Sequence, residues 1–387
     1  MSHIKLTIPG KFWDTQLYSG RLFIFDCSGG IFTVNWNNYI DERFEALDNL
    51  QLAAHVCFLE SDLFYTDSSQ KFLANNEIKE IVVNNFELLA QLNLTLELTG
   101  RNVTHINSHL PFPHADSGVY YSKLYVGLNS GVYSVSCNGL GSARKSTRLW
   151  DCPTLGISPS NYWSSIAIAA GNQGLYEMKR PQSDEQISEP VNVSQYHCSS
   201  CEWSGRNIIA SSYIHSAFFA AFKKLENTKN IGNQRKFYRE LEKIIKLDDL
   251  FQGDGYSWGS HDKLYMYRNN EIECIQYSAN RDDEPDFARK GVMQIAKHGE
   301  EVVSANVAAF GTIIEYDNSI TVIKSTGEML TIPGEPVNWR IFPNSFNYKN
   351  QLHVIYGDRL EIYSFYHDYF VEQPSKFSGI EMKSPKG

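Results

Sequence analysis

Four side chains able to ligate a metal fall within twelve residues: His105, His109, His114 and Asp116, in the Pro-containing stretch HINSHLPFPHAD. Imidazole and carboxylate are ordinary ligands for zinc and similar ions. Their spacing matches no known ligand motif, and the plainer reading is a polar surface loop with Pro-imposed turns. Cys198-Ser-Ser-Cys201, preceded by His197, is a single CxxC pair. A structural zinc site needs a second pair, and a redox dithiol goes with a βαβ pattern; neither is present, so two small half-buried residues in a connection are expected. Gly255-Tyr-Ser-Trp-Gly259 spells GxSxG. A nucleophile elbow requires a strand before it and a helix after it, whereas the next element here is an alternating strand beginning at Leu264. Nothing resembles a P-loop, a dinucleotide turn, an HExxH helix or an EF-hand loop. The expectation is no catalytic residue, and no cofactor apart from that candidate metal site.

The strongest charge signal lies at residues 223–250. Between Lys223 and Lys246 there are eight basic and three acidic residues. Within it, Asn233-QRKFYRELEKIIKL predicts a helix, with Asn233 as N-cap and Phe237, Leu241, Ile244 and Ile245 on one face. Lys223, Lys224, Arg235, Lys236, Arg239 and Lys243 are then candidate contacts for an acidic protein surface, the alternative being a solvated, decorated loop. The whole chain is acidic, with 35 basic and 44 acidic side chains and a net charge of −9. That balance creates no global field for nucleic acid or anionic lipid. No stretch approaches the roughly 18 apolar residues that span a bilayer, and the first residues carry no signal-peptide pattern. Seven scattered cysteines, an odd number, point to reduced thiols in a cytoplasmic protein.

These residues need a frame, and the chain supplies one as a recurring hairpin: an alternating apolar strand, a turn of Gly, Asn, Ser or Asp, and a second alternating strand. The hairpins are Leu22-FIFDCSGGIFTV, Leu124-YVGLNSGVYSV, Ile166-AIAAGNQGLYEM, Ile208-IASSYIHSAFFAAF, Leu264-YMYRNNEIECIQY, Ile313-IEYDNSITVI and Leu352-HVIYGDRLEIYSF. Leu124 to Ile166 and Ile166 to Ile208 are both steps of 42 residues, and Leu264 to Leu352 is 88, or two steps. Four-stranded repeats of roughly 40–45 residues have this period. Five of the seven tryptophans (Trp13, Trp163, Trp203, Trp258, Trp339) lie shortly before a hairpin. Leu6-Thr-Ile-Pro-Gly10 recurs as Leu330-Thr-Ile-Pro-Gly334. The second copy follows a hairpin and the first has none before it. If both hold the same place, residues 4–8 complete the sheet of the Leu352 hairpin, so that the termini lock together and an open edge disappears. Leu22 to Leu124 spans 102 residues, room for an irregular eighth repeat built from His55-VCFLESDLFYTDSS and Lys79-EIVVNNFELLAQLNLTLEL. Residues 372–387 read as a loose tail.

Hairpin spacing and terminal closure together resemble the β-propeller repeat proteins in general, over essentially the whole chain. The WD signature is confined to Trp13-Asp14 and Trp150-Asp151, the kelch glycine pair to Gly29-Gly30, and Asp254-Gly-Tyr-Ser-Trp258 is one residue short of an Asp-box; no specific family is matched. The resemblance implies an all-β fold: a closed β-propeller spanning 1–387 as one domain, with seven four-stranded blades (eight permitted by the arithmetic). The N-terminal strand would complete the last blade, and 223–250 would be one helical insertion. By analogy of fold, the expected function is a non-catalytic protein-binding scaffold or regulatory subunit of a cytosolic multiprotein complex. A propeller enzyme or a small-ligand or metal-binding protein, with its site at the central channel or the His105–Asp116 loop, is the alternative.

Overall fold

Each of the seven alternating hairpins forms the second and third strands of a four-stranded antiparallel sheet. The computed structural model describes residues 3–107, 109–137, 146–160, 163–180, 189–214, 216–225, 238–260, 262–279, 285–295, 301–324 and 327–365. The chain opens on β1 (Ile4–Pro9) and enters the first sheet through β2 (Phe12–Tyr18), β3 (Arg21–Asp26) and β4 (Gly30–Asn35). There follow α1 (Trp36–Phe44), α2 (Gln51–Phe58), α3 (Asp67–Leu73), α4 (Asn76–Ala90) and the two-residue β5 (Leu94–Thr95), before β6 (Val103–Asn107) completes that sheet. The second sheet is β7 (Asp116–Tyr120), β8 (Lys123–Leu128), β9 (Gly131–Ser136) and β10 (Thr147–Trp150). The third is β11 (Gly156–Ser160), β12 (Ser165–Ala169), β13 (Leu175–Lys179) and β14 (Val191–Ser194). The fourth is β15 (Ser200–Ser204), β16 (Asn207–Ser211), β17 (Phe218–Leu225) and β18 (Tyr238–Lys246). After the one-turn α5 (Leu247–Phe251) come β19 (Tyr256–Ser260), β20 (Lys263–Arg268), β21 (Glu271–Ala279) and β22 (Pro285–Gln294). The sixth sheet is β23 (Val302–Ala308), β24 (Gly311–Tyr316), β25 (Ser319–Ile323) and β26 (Met329–Pro333). The seventh joins β27 (Asn338–Ile341), β28 (Gln351–Ile355) and β29 (Arg359–Ser364) to β1, with β5 as a fifth strand. This is a seven-bladed β-propeller.

Closure follows the repeated pentapeptide. β1 runs antiparallel to β29 from Ile4↔Ser364 to Pro9↔Arg359, and its alternation buries Ile4, Leu6 and Ile8. The second copy lies in β26, also a fourth strand. In both copies the glycine after the strand donates its N–H to the turn of the neighbouring hairpin: Gly10 to Asp358 O at 2.8 Å, Gly334 to Asn318 O at 2.9 Å. Both have positive φ, 150° and 118°, and a Cβ would meet the ring of Phe12 at 2.3 Å or of Tyr356 at 2.9 Å. Only glycine fits there. Lys5 adds a charge-assisted bond across the seam, its Nζ 3.2 Å from Glu361 Oε1.

The chain divides into two compact units. One holds the first, sixth and seventh blades with α1–α4; the other holds the second to fifth blades with α5. Tryptophans expected before the hairpins do bond between neighbouring blades inside each unit. Trp203 Nε1 donates to Ser158 O at 2.7 Å, and Trp339 Nε1 to Glu315 Oε2 at 2.9 Å.

Two expectations are corrected. The stretch offered as an eighth blade is helical. Asn75 caps α4, its Oδ1 accepting from Glu77 N (2.9 Å) and Ile78 N (3.3 Å), and Thr66 caps α3. Val82, Phe86 and Leu89, spaced by four and three, form its buried face. They join Trp36, Phe58, Ile4, Leu6, Ile8, Leu360 and Ile362 in one core cluster, so the helices cover the outer edge of the seventh blade. Polar ties hold them there. Gln351 Nε2 donates to Cys57 O and Phe58 O, both at 3.1 Å, and Trp36 Nε1 donates to Phe58 O at 2.9 Å. Behind Gln351 stands buried His353, whose Nε2 is 3.2 Å from Gln351 Oε1 and whose Nδ1 is 3.3 Å from Thr15 Oγ1. As the glutamine oxygen only accepts, the imidazole carries its proton on Nε2.

The second correction concerns the helix expected over 233–247. Residues 238–246 form β18, paired with β17. The register skips Glu242, with Phe222↔Leu241 on one side and Ala221↔Lys243 on the other. This bulge shifts the alternation by one residue, so Leu241, Ile244 and Ile245 acquire a helix-like spacing while lying in a strand. The open ladder of β17 outweighs the helix propensity of Glu, Lys and Leu. The tail expected at 372–387 lies outside the described residues.

Candidate functional site

His105 is on β6, with Nε2 2.7 Å from Asp26 Oδ2 and its ring stacked on Phe32 at 4.2 Å. Burial opposes the charge of Asp26, but hydrogen bonds from Ser28, His105 and the Gly30 and Ser28 amides outweigh it and hold the carboxyl near about 2. His114 is buried against Phe112. The Asp116 oxygens accept the Ser117 amide at 2.8 Å and the Ile157 amide at 2.7 Å, which joins β7 to β11. His105 and His109 belong to one compact unit, His114 and Asp116 to the other. Among the described residues no group of three or more His, Cys, Asp or Glu is disposed to hold a metal ion.

All seven cysteines are free thiols. Cys198 and Cys201 are both buried, and burial raises both thiol pKa values, the opposite of an activated nucleophile. Ser257 lies within β19, which runs directly into β20, so the elbow geometry is absent there.

The basic segment is placed only in part. Lys223 and Lys224 on β17 and Lys243 on β18 are exposed; Arg235 and Lys236 lie outside the described residues. Arg239 is corrected: it is an interior cation. Its guanidinium pairs with Glu177, lies 3.8 Å over the Phe222 ring and 4.4 Å over Trp203, and donates to Arg206 O at 2.7 Å. Burial lowers its pKa and the Glu177 carboxylate opposes that shift.

The helical insertion is the surface that sequence reasoning missed. On α4, three stripes run side by side, each at spacings of three and four residues. Val82, Phe86 and Leu89 face the core. Ile78, Ile81, Asn85 and Leu88 form the next stripe, with Ile81 61% and Leu88 46% exposed. Glu77, Glu80, Asn84 and Glu87 form the third, all exposed. Phe72 of α3, 65% exposed, adds an aromatic ring to the insertion's exposed apolar residues. Residues 36–97 contain eleven acidic and three basic side chains, close to the whole net charge of −9. Beside α4, Asn85 Nδ2 donates to Asn49 O at 3.0 Å. Two residues further on, Gln51 and Leu52 line an open groove of about 740 Å³ between α1 and α2, with Asp41, Glu42 and Glu45 along it and Arg101 beside Glu42. The signals were in the sequence: an Asn75 cap, Glu77 in the first turn, and three apolar residues recurring at helical spacing.

No protein-family model and no curated protein matches the chain. Among solved structures, the β-propeller domain of Cps50 (Swd1) from Myceliophteria thermophila is similar at 11% identity and a TM-score of 0.41, over 66% of this chain and 98% of that one. The WD40 β-propeller domain of Doa1 is similar at 11% identity and 0.37, over 66% and 94%. PorZ, a surface component of the type-IX secretion system of Porphyromonas gingivalis, is similar at 9% identity and 0.41, over 89% of this chain and 35% of that one. Likenesses this distant add nothing to what the sheets themselves establish. Among the described residues, no helix is long and apolar enough to cross a membrane.

Proposed function

We propose that this protein is a non-catalytic, cytosolic protein-binding subunit that docks a partner protein on the α3–α4 face of its helical insertion. The observation that carries the reading is the exposed apolar set Ile78, Ile81 and Leu88 on one stripe of α4, interrupted by half-buried Asn85, with Phe72 exposed on α3 and a row of carboxylates along one side. Contiguous apolar surface rimmed by polar groups is the mark of an interaction site. A rigid base suits the role, since the adjoining stripe of α4, Val82, Phe86 and Leu89, is locked into the core that also holds β1 and β29. Lys223, Lys224 and Lys243 on β17 and β18 offer a separate contact, for an acidic protein surface.

The test uses the full chain and its partner, purified together from the native cell and then reconstituted from the separate components. Ile81→Ser/Leu88→Ser touches exposed side chains and should leave the unfolding temperature unchanged while weakening the partner about tenfold or more, as loss of a central apolar contact does. Lys223→Glu/Lys224→Glu should weaken it less. Unaltered affinity in the α4 variant refutes the docking face.

A further inference from the structure

Resting on that docking reading, we infer that the partner segment seated on α4 is a basic amphipathic helix. Its apolar face would lie on the Ile78–Ile81–Leu88 stripe and its Lys or Arg side chains against Glu77, Glu80 and Glu87. The argument is one of paired periodicities. The apolar stripe and the carboxylate row have the same three-four-three spacing and lie side by side along one helix. A second helix laid along α4 repeats that pattern, so its apolar residues and its cations fall in step with both rows at once. An extended strand, alternating every second residue, would match neither row. The charge sign comes from the insertion as a whole, with eleven acidic against three basic residues over 36–97. The groove beyond Asn49 bears Asp41, Glu42 and Glu45, of which Glu42 is already met by Arg101, and gives a longer segment further carboxylates. The same carboxylates repel an anionic lipid surface and a phosphate backbone, the other common partners of an exposed amphipathic face.

The probes are three synthetic peptides of equal length: a helix with a Leu face and a Lys/Arg face, the same Leu face with a Glu face, and the basic composition scrambled. Binding to the purified full chain is followed by fluorescence anisotropy at several salt concentrations. The basic amphipathic peptide should bind about tenfold or more tightly than the other two. Ile81→Ser/Leu88→Ser should weaken it to the level of the scrambled peptide. Glu80→Gln/Glu87→Gln should weaken it about two- to fivefold and flatten its salt dependence, as exposed ion pairs do. Glu240→Gln/Glu335→Gln, exposed carboxylates elsewhere, should change nothing. Equal binding of the acidic and basic peptides overturns the inference, as does equal weakening by the control pair, which would mean general attraction to an acidic protein. If Ile81→Ser/Leu88→Ser loses the native partner while Glu80→Gln/Glu87→Gln does not, the docking face stands and the basic helix falls. If neither variant affects the native partner, both fall.

Discussion

Leu6 and Leu330 hold the same place in the same pentapeptide, yet truncating them should have unequal consequences. Leu6 is fully buried in β1, with Ile362 across one ladder and Leu94 across the other, and α4 in the same core cluster. Leu330 sits half-buried in β26, pairing Val322 on one side, and among the described residues no further strand is bonded beyond it. Leu6→Ala removes fully buried methyl and methylene groups and leaves a cavity walled by strands and helix, a loss of about 2–5 kcal/mol. Leu330→Ala forgoes about half of a leucine's transfer energy with no enclosed cavity, about 1 kcal/mol. The internal control is Ile8 and Ile332, buried in both copies, where truncation to Ala should cost about 2–5 kcal/mol in each. Urea unfolding followed by tryptophan fluorescence reads all four, since buried Trp36 lies in the Leu6 cluster. Equal losses for Leu6→Ala and Leu330→Ala would refute the claim that the insertion seals the seventh blade's outer edge.

Acid should weaken the fold through His353. Burial depresses its pKa from 6.5 to about 3. Between those values the unfolded chain binds a proton that the folded one refuses, so stability falls as pH drops below 6.5, by at most about 1.4 kcal/mol per unit. His353→Gln should remove that part of the slope when unfolding midpoints at pH 7 and pH 5.5 are compared; an identical slope would refute it. Arg239→Ala should destabilise by about 3–5 kcal/mol, because it strands Glu177 and empties a stack of aromatic rings. Arg239→Lys should recover little of that, lacking the flat guanidinium, and full recovery in a thermal melt would assign the effect to charge alone.

What the residues revealed in advance, and what they hid, has a physical pattern. Hairpins were legible because both of their strands alternate around a turn that needs particular residues, as at Cys27-Ser-Gly-Gly30 or Gly357-Asp358. Closure was legible because the Gly10 and Gly334 positions exclude every side chain, and such a constraint writes the same word twice. Helices α1–α4 were hidden by the blade count itself, which made strands the default for any apolar run. β18 was hidden by one bulged residue that converts alternation into helical spacing. Arg239 was hidden because a cation's burial depends on Phe222, Trp203 and Glu177, residues on three other strands. The exposed apolar stripe of α4 was missed with the helix that bears it.

The pairing of β1 has a consequence for biosynthesis. β1 leaves the ribosome long before its antiparallel partner, β29, has been made. Through that wait, Ile4, Leu6 and Ile8 form a sticky edge of the kind that draws nascent chains into aggregates. β5 and α4 emerge soon after it and touch the same strand: Leu94 and Thr95 pair with Leu6 and Thr7 in parallel, and Leu96 N bonds Thr7 O at 2.9 Å. The insertion thus gives the N-terminal strand an early berth within the same polypeptide, where it can stay sheltered until its sheet has been made.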